Sequence, residues 1–319
     1  MRYAITGATG FVGGALAARL RADGHDVRAL VRDPARATHL SDLGVDTVPG
    51  DLDDTPALDR LCDGVDGLFH VAGWYRLGQR DPSVGDRVNV AGTRAVLAAA
   101  QRAGVPRVVY TSTLAVNSDT GGAVRDETYR HTGGFVSDYD RTKAAAHDVA
   151  LGFAADGLDV RVVQPGLVYG PGDTSQTGAL IAAVVRGKRP QVPAGGSVCW
   201  AHVDDVASGH LLAMDAGRSG ESYMLAGPAM TLANGLRLVA ELAGTRGPVV
   251  LPDGLVRGVG RVAGVLGRVV PLPADLAAET LRASLATYLG SSAKAKRELG
   301  WRARDPRTGL GETVAALRA

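Results

Sequence analysis

The sequence predicts a doubly wound α/β protein, a parallel sheet (Rossmann type) covered by helices on both faces, followed by a smaller C-terminal α+β portion. Three observations carry this. Short apolar runs without period-two alternation recur through the first two thirds of the chain, amphipathic helical stretches separate them, and a glycine-rich turn joins the first run to the first helix. Strands buried on both faces lose the in-out alternation of a one-sided sheet.

Residues 3–5 read as a strand and 11–22 as a helix with Val12, Leu16 and Leu20 in period. A second strand covers 27–31. A helix over 34–43 follows, with Asp33 placed to cap it and Pro34 at its first position. Strands over 46–49, 67–72, 107–111 and 160–164 come next, separated by helices over 55–62, 84–103 and 138–155. Beyond about Gly172 the rhythm changes. Helices over 178–186, 204–216, 232–242, 274–285 and 292–299 mix with short strands over 197–203 and 222–225. Residues 1–172 are thus expected to form a dinucleotide-binding domain and 173–319 a mainly substrate-binding portion. The boundary is soft, and the chain is free to cross back.

Composition excludes several functions. The 319 residues carry 35 basic and 33 acidic side chains, spread rather than blocked, and aromatics are 5%, so a nucleic-acid partner is not supported. Two cysteines, Cys62 and Cys199, cannot build a disulfide framework and read as buried small side chains in a reducing compartment. The seven histidines show no metal-ligand spacing, so no metal is expected. No secretory signal is expected, because a strand and a glycine-rich turn begin at once. The apolar stretch 249–272 holds Pro252, Asp253, Arg257, Arg261 and Arg268, too much charge for a bilayer span. These observations predict a soluble, cytoplasmic protein. Its segment 255–270 reads either as a helix packed on the body with snorkelling arginines or as a membrane-surface element or lipophilic lid.

The segment Thr6-Gly7-Ala8-Thr9-Gly10-Phe11-Val12-Gly13 links the first strand to the first helix. Its glycines suit a tight turn, the approach of backbone to a pyrophosphate, and close helix–strand packing, with phosphate on the helix N-terminus. Gly7, Thr9, Gly10, Phe11, Val12 and Gly13 are therefore candidate cofactor ligands. Arg32 ends the second strand, where an Arg pairs with a 2′-phosphate and an acid would take a ribose hydroxyl, so NADP(H) is favoured over NAD(H). Asp33, one residue on, would reverse that reading if it faced the ribose; as an N-cap it would not. Asp51 and Leu52 follow the third strand, where a carboxylate can meet the adenine amino group or serve as a turn or cap, and Val71 and Ala72 close the fourth beside the nicotinamide ribose. His70 reads as a strand histidine with satisfied partners rather than a catalyst.

Tyr139 and Lys143 lie four apart, one turn on the same helix face, in a chain with four lysines. A nearby ammonium is expected to lower the phenol's pKa toward the working pH, so that it exchanges a proton with a carbonyl or alcohol oxygen while hydride moves. Thr111-Ser112-Thr113, at the carboxyl end of the fifth strand, supplies hydroxyls to orient that oxygen.

Together with Gln164-Pro165-Gly166-Leu167-Val168-Tyr169-Gly170-Pro171-Gly172, these motifs resemble an extended (atypical) short-chain dehydrogenase/reductase, of the NAD-dependent epimerase/dehydratase kind. The segment His202–Ala207 and the tail 294–301 resemble that family's C-terminal signatures, so the likeness spans nearly the whole chain. Val31-Arg32-Asp33-Pro34 is similar to dihydroflavonol 4-reductase-like members, and the segment 69–77 with Arg80-Asp81-Pro82 to bacterial proteins described as hopanoid-associated sugar epimerases. The resemblance implies Tyr139 as general acid/base and Lys143 as its electrostatic partner and ribose ligand. It implies Thr113 as the substrate-orienting hydroxyl, with Ser112 the other candidate. It further implies backbone contacts from Pro165 and Val168 to the nicotinamide carboxamide. Asn89 matches the family's helix Asn and reads equally as a tie between helix and strand. Trp74, Tyr75 and Arg76 are candidates for the pocket wall.

The function expected is NADPH-dependent reduction of a ketone or aldehyde, with a small-molecule carbonyl or alcohol as substrate. Two alternatives stand beside it: an NAD(P)-dependent epimerase or dehydratase of a sugar or nucleotide sugar, and a non-catalytic NAD(P)-binding redox sensor, a reading opposed by the intact Tyr/Lys pair. The resemblance also implies a homodimer through helices 84–103 and 138–155, but the sequence leaves monomer and dimer open.

Overall fold

The computed structural model describes residues 1–78, 81, 83–266, 273 and 276–319. Its first part runs β1 (Arg2–Thr6), α1 (Phe11–Ala22), β2 (Asp26–Val31), α2 (Thr38–Asp42), β3 (Asp46–Pro49), α3 (Thr55–Cys62), β4 (Gly67–His70), α4 (Ser83–Gly85), α5 (Gly92–Arg102), β5 (Val108–Thr111), α6 (Asp138–Ala155), β6 (Val160–Pro165) and β7 (Leu167–Tyr169). The remainder runs α7 (Gln176–Val185), β8 (Gln191–Pro193), β9 (Ser197–His202), α8 (Val203–Ala216), β10 (Ser222–Leu225), β11 (Ala229–Thr231), α9 (Leu232–Ala243), β12 (Val249–Leu251), α10 (Asp253–Leu266), α11 (Ala278–Ala283), β13 (Thr287–Tyr288) and α12 (Pro306–Arg318).

Seven strands form one parallel sheet in the order β10-β6-β5-β4-β1-β2-β3. The apolar strands bury both faces. On one side α1 and α8 pack Leu16, Leu20, Ala213 and Met214 against Ile5, Phe69 and Val163. On the other, α3, α5 and α6 pack Leu58, Leu61, Leu97, Ala146 and Ala150 against Ala4, Leu68, Val108 and Val162. The strand order reverses at β1, between β2 and β4, so the crevice beyond its carboxyl end is the topological switch point where such sheets bind ligands.

After Pro165 the chain leaves this sheet. β7 pairs with β9, which also holds β11 and β13, in a second, smaller sheet, and β12 pairs with β8. The transfer happens at Gly166, where any Cβ would overlap the Cys199 carbonyl oxygen. The strand Ser222–Leu225, read from sequence as part of the C-terminal portion, returns to the large sheet and pairs in parallel with β6.

Several elements differ from the sequence reading. The helix expected over 34–43 splits into a 3-10 turn at Pro34–Arg36 and α2, with buried Ala37 between them at φ −114°. Asp33 caps the turn, accepting from the Ala35 N–H at 3.1 Å. The helix over 84–103 is wound as a π-helix from Asp86 to Ala91 before α5 continues it. That wider turn carries Asn89, whose amide accepts from the Trp74 N–H (2.7 Å) and donates to the Trp74 carbonyl (3.2 Å) and the Thr142 hydroxyl (3.0 Å). Asn89 thus ties helix to the β4 exit. The stretch 292–299 narrows to a π-turn over Ala295–Leu299, and 274–285 to α11. Arg80, Pro82, Arg268 and positions 274 and 275 lie outside the described residues. Strands β7, β8, β11, β12 and β13 have two or three residues each, too few to show any periodicity. Cys62 and Cys199 are buried and unbridged. Among the described residues no helix is long and apolar enough to cross a membrane.

Trp301 anchors the C-terminal tail: its ring is fully buried against the α1/α8 layer, and its indole N–H donates to the Asp205 carbonyl at 2.7 Å. Trp301→Ala leaves a cavity and an orphaned carbonyl, and is expected to cost about 3–5 kcal/mol. A urea midpoint equal to that of the unaltered protein would contradict this packing role.

Candidate active site

The glycine-rich turn sits at the carboxyl end of β1. Gly7 is in the left-handed region (φ +80°), and a Cβ there would meet the Ala72 backbone nitrogen at 2.6 Å; one on Gly13 would overlap the Gly7 carbonyl. The turn is thereby pressed against the β4 exit, where the Val71 N–H donates to the Thr6 carbonyl (3.2 Å) and the Ala72 N–H to the Thr6 hydroxyl (3.3 Å). α1 begins at Gly10 with no side-chain cap, in contrast to α3, α6, α7, α9 and α12, which are capped by Asp54, Ser137, Ser175, Thr231 and Asp305. The first-turn N–H groups at Phe11 and Val12 therefore face the crevice unclaimed by any cap, with Thr9 exposed beside them.

Arg32 ends β2 exposed to solvent, while Asp33 is occupied as a cap. Asp51 is exposed and accepts from the Leu52 N–H at 2.8 Å; the Leu52 side chain is buried in the core. Pro165 is buried at the end of β6, and Val168 is half-buried in β7 beside Ala201. Trp74 is half-buried beyond β4. Tyr75 is exposed, its ring edge-on to Tyr139 with centroids 4.7 Å apart.

The three hydroxyls after β5 go to three different partners. Thr111 bonds His210 on α8 (2.8 Å), and Ser112 turns into the sheet toward His147 on α6 (2.9 Å). Thr113 accepts from the Ala115 N–H (3.2 Å) and is near enough to the Tyr139 phenol to offset part of its pKa shift. Of the two candidates for the orienting hydroxyl, Thr113 meets Tyr139 and Ser112 is engaged elsewhere.

Ser137 caps α6 and bonds Asp140 at both its amide (3.1 Å) and its carboxylate (2.6 Å), which sets Tyr139 in the first helical turn. One turn on, Lys143 is buried; its ammonium donates to the Tyr110 hydroxyl (2.9 Å) and the Thr111 carbonyl (2.8 Å). The electrostatics differ from the sequence expectation. Burial pushes the Tyr139 phenol well above its usual range, the neighbouring Tyr75 adds to this, and the Thr113 hydroxyl offsets part of it. Burial also pulls Lys143 down to about 7. Desolvation thus outweighs the expected lowering of the phenol by the ammonium.

Sequence reasoning passed over several supporting residues. Tyr110 looked like an ordinary apolar strand residue, yet its hydroxyl holds Lys143. Its ring stacks on that of His70, which meets Thr93 at 3.0 Å and Thr6 at 2.7 Å. His70 is therefore a structural link between the catalytic helix side and the glycine turn. Buried Asp140 accepts from Ser118 (3.3 Å), Ser137 and Tyr288 (3.1 Å), and Ser118 is strained at φ +48°. Glu279 on α11 accepts from the N–H groups of Gly78 (2.9 Å) and Asp138 (2.7 Å), clasping the two rims of the cleft. Asp140 follows Ser137 at a capping spacing, but its Ser118 and Tyr288 partners and both partners of Glu279 are remote in the chain, and no spacing signals them.

The chain is similar to known proteins over nearly its whole length. Residues 3–226 match the model of the NAD dependent epimerase/dehydratase family. A Synechocystis sp. protein provisionally named dihydroflavonol 4-reductase is 35% identical over 93% of this chain and 89% of its own. A Stigmatella aurantiaca 4-hydroxy-2-methyl-3-oxo-4-farnesyl-3,4-dihydroquinoline-1-oxide ketoreductase is 35% identical over 95% of this chain and 92% of its own. The crystal structure of the protein designated gox2253 superposes with a TM-score of 0.87 at 34% identity, covering 100% of this chain and 98% of that one.

The buried histidines make stability acid-sensitive. Burial lowers His70 to about 3, with the Lys143 charge adding, and lowers His147 and His210 each to about 4. The unfolded chain binds these protons from about pH 6.5 downward while the native state refuses them, so stability falls as pH drops through that window. Asp140 acts in the opposite sense: burial raises it to about 6, so it gains stability as pH falls toward 4. At about pH 5 the three histidines cost roughly 2 kcal/mol each against roughly 1 kcal/mol recovered at Asp140. Denaturant titration at pH 7 and pH 5 should show a loss of several kcal/mol, and equal stabilities would refute the neutral buried histidines.

Proposed function

Because this chain belongs to the NAD dependent epimerase/dehydratase family, whose members are NAD(P)-dependent enzymes, we propose that it is an NADPH-dependent reductase of a ketone or aldehyde, with Tyr139 as general acid. The observation that carries this reading is the placement of Tyr139 one turn before buried Lys143 at the carboxyl end of the sheet, with desolvation holding its phenol in the neutral form. A carbonyl oxygen about to receive hydride at its carbon needs a proton donor, and a high-pKa phenol is in the acid form at neutral pH.

The residues present fit a dinucleotide. The uncapped start of α1, with the side-chain-free Gly7 and Gly10, suits a pyrophosphate at Thr9, Gly10, Phe11, Val12 and Gly13. Arg32, exposed and with Asp33 withdrawn as a cap, suits a 2′-phosphate. Asp51 and Leu52 would flank the adenine, Val71 and Ala72 the nicotinamide ribose, and the Pro165 and Val168 backbone the carboxamide. A nicotinamide held at this sheet edge supplies the hydride.

The chain's own groups do the rest. Thr113 and Tyr139 orient the substrate oxygen, and Tyr139 passes its proton to that oxygen. Two of the three Lys143 ammonium hydrogens are committed to Tyr110 and Thr111, so the third is left for a ribose hydroxyl. Trp74 and Tyr75 wall the cleft with apolar surface. Together with the reductase names of the relatives, this favours an uncharged carbonyl compound over a sugar diphosphate.

Tyr139→Phe is expected to lower kcat by at least about 100-fold while NADPH binding persists; undiminished turnover would overturn the role of Tyr139. Arg32→Ala should weaken NADPH binding by about tenfold or more and leave NADH binding unchanged. If the unaltered protein instead binds NADH more tightly, the cofactor assignment fails and sugar epimerase or dehydratase chemistry takes its place. Tyr110→Phe removes an acceptor from Lys143. It should shift the pH profile of kcat and raise the KM for NADPH, a pair of changes that simple loss of stability does not produce.

A further inference from the structure

Helix α10 turns its most apolar side to solvent. Leu255, Val259, Val262 and Leu266 recur in steps of four, three and four, hence on one helix face, and are 55%, 42%, 58% and 49% exposed; Val265 beside them is 66% exposed. The helix is anchored elsewhere. Val256 and Ala263 are its buried residues, and Gly260 and Gly264 lie against Leu281 and Ala278 of α11. Arg257, Arg261 and Val265 follow in steps of four as a second exposed row, in which Arg261 borders Val265 and Arg257 lies further round the helix; neither arginine has an ion pair or hydrogen bond among the described residues. The acidic residue of the helix, Asp253, is occupied with the Gly195 N–H at 2.7 Å.

We propose that this ridge docks the protein on the surface of an anionic lipid bilayer, with α10 lying in the interfacial plane. An amphipathic helix that sets large apolar residues beside unpaired arginines matches a bilayer interface on both counts: acyl chains take the ridge and lipid phosphates take the guanidinium groups. A second copy of the chain is a poorer occupant. Two ridges meeting about a two-fold axis would bring four arginines together with no free acid on either helix to compensate them. A lid closing on the substrate is a poorer account as well, because α10 is already packed on α11, whose Glu279 is bonded to the Gly78 and Asp138 N–H groups. The inference stands on the surface of α10 and does not depend on the proposed reaction.

The test is co-sedimentation of the full chain with vesicles of phosphatidylcholine alone and of phosphatidylcholine mixed with phosphatidylglycerol. The mixed vesicles should carry the protein down and the neutral ones far less. L255S/V259S/V262S should lower partitioning by about 100-fold and R257Q/R261Q by about tenfold or more. All the substituted positions are exposed, so thermal melting and NADPH binding should be unchanged. Absence of sedimentation with mixed vesicles, or sedimentation indifferent to the triple substitution, overturns the proposal. So does an unaltered protein that is dimeric in analytical ultracentrifugation and becomes monomeric on the triple substitution, since the occupant would then be a second copy.

Discussion

A primary ammonium carries three hydrogens and a charge that an apolar interior does not welcome. Lys143 is nevertheless buried, and no carboxylate pairs with it among the described residues. Its compensation is a phenol oxygen and a main-chain carbonyl, both from β5. This interaction dictates how α6 lies on the sheet, because the helix must bring Lys143 over the β5 exit at a fixed distance and rotation. Tyr139, one turn earlier, is then carried to the Thr113 hydroxyl without further adjustment. The Ser137 cap and the three hydrogen bonds on Asp140 hold the start of the helix to the same rotation.

The crevice depends on close backbone approaches as much as on side chains. Gly7 against Ala72 brings the β1 turn onto the β4 exit, and Gly166 against Cys199 lets the chain leave β6 for the second sheet directly above the site. A methyl group at either place would separate surfaces that a flat ring and a pyrophosphate must share. Thr6 then holds His70 by a buried hydrogen bond, His70 stacks on Tyr110, and Tyr110 holds Lys143, so the nucleotide side and the proton side of the crevice are mechanically one unit.

Much of this was legible in the sequence where the signal is local. Parallel strands reveal themselves by unbroken apolar runs, the glycine spacing by its place between strand and helix, and the Tyr139–Lys143 pair by the four-residue step. Asp33 could be read as a cap because Pro34 follows it. What stayed hidden depends on contacts between distant segments. The break at Ala37 and the π-turn at Asn89 are responses to packing, and helical periodicity continues across both. The resemblance favours Thr113 over Ser112, but the reason Ser112 is engaged elsewhere, its bond to His147 from 35 positions away, was not legible. The direction of the Tyr139 shift was misjudged for a related reason: spacing shows that an ammonium is near, but not that both groups are dry.

That dryness has a consequence for direction. Burial opposes the charged form of both members of the pair, raising the phenol and lowering the ammonium together. In the proposed reduction, Tyr139 starts as the neutral acid, and the cost of a buried phenolate arises only after its proton has left. The same raised pKa then draws a replacement proton back from solvent, returning the residue to its working form. In the reverse reaction the phenolate must exist before hydride moves, so the whole desolvation cost stands ahead of the chemical step. In the proposed reduction, a tyrosine held neutral beside a buried lysine therefore starts in the form that can give a proton to a carbonyl oxygen.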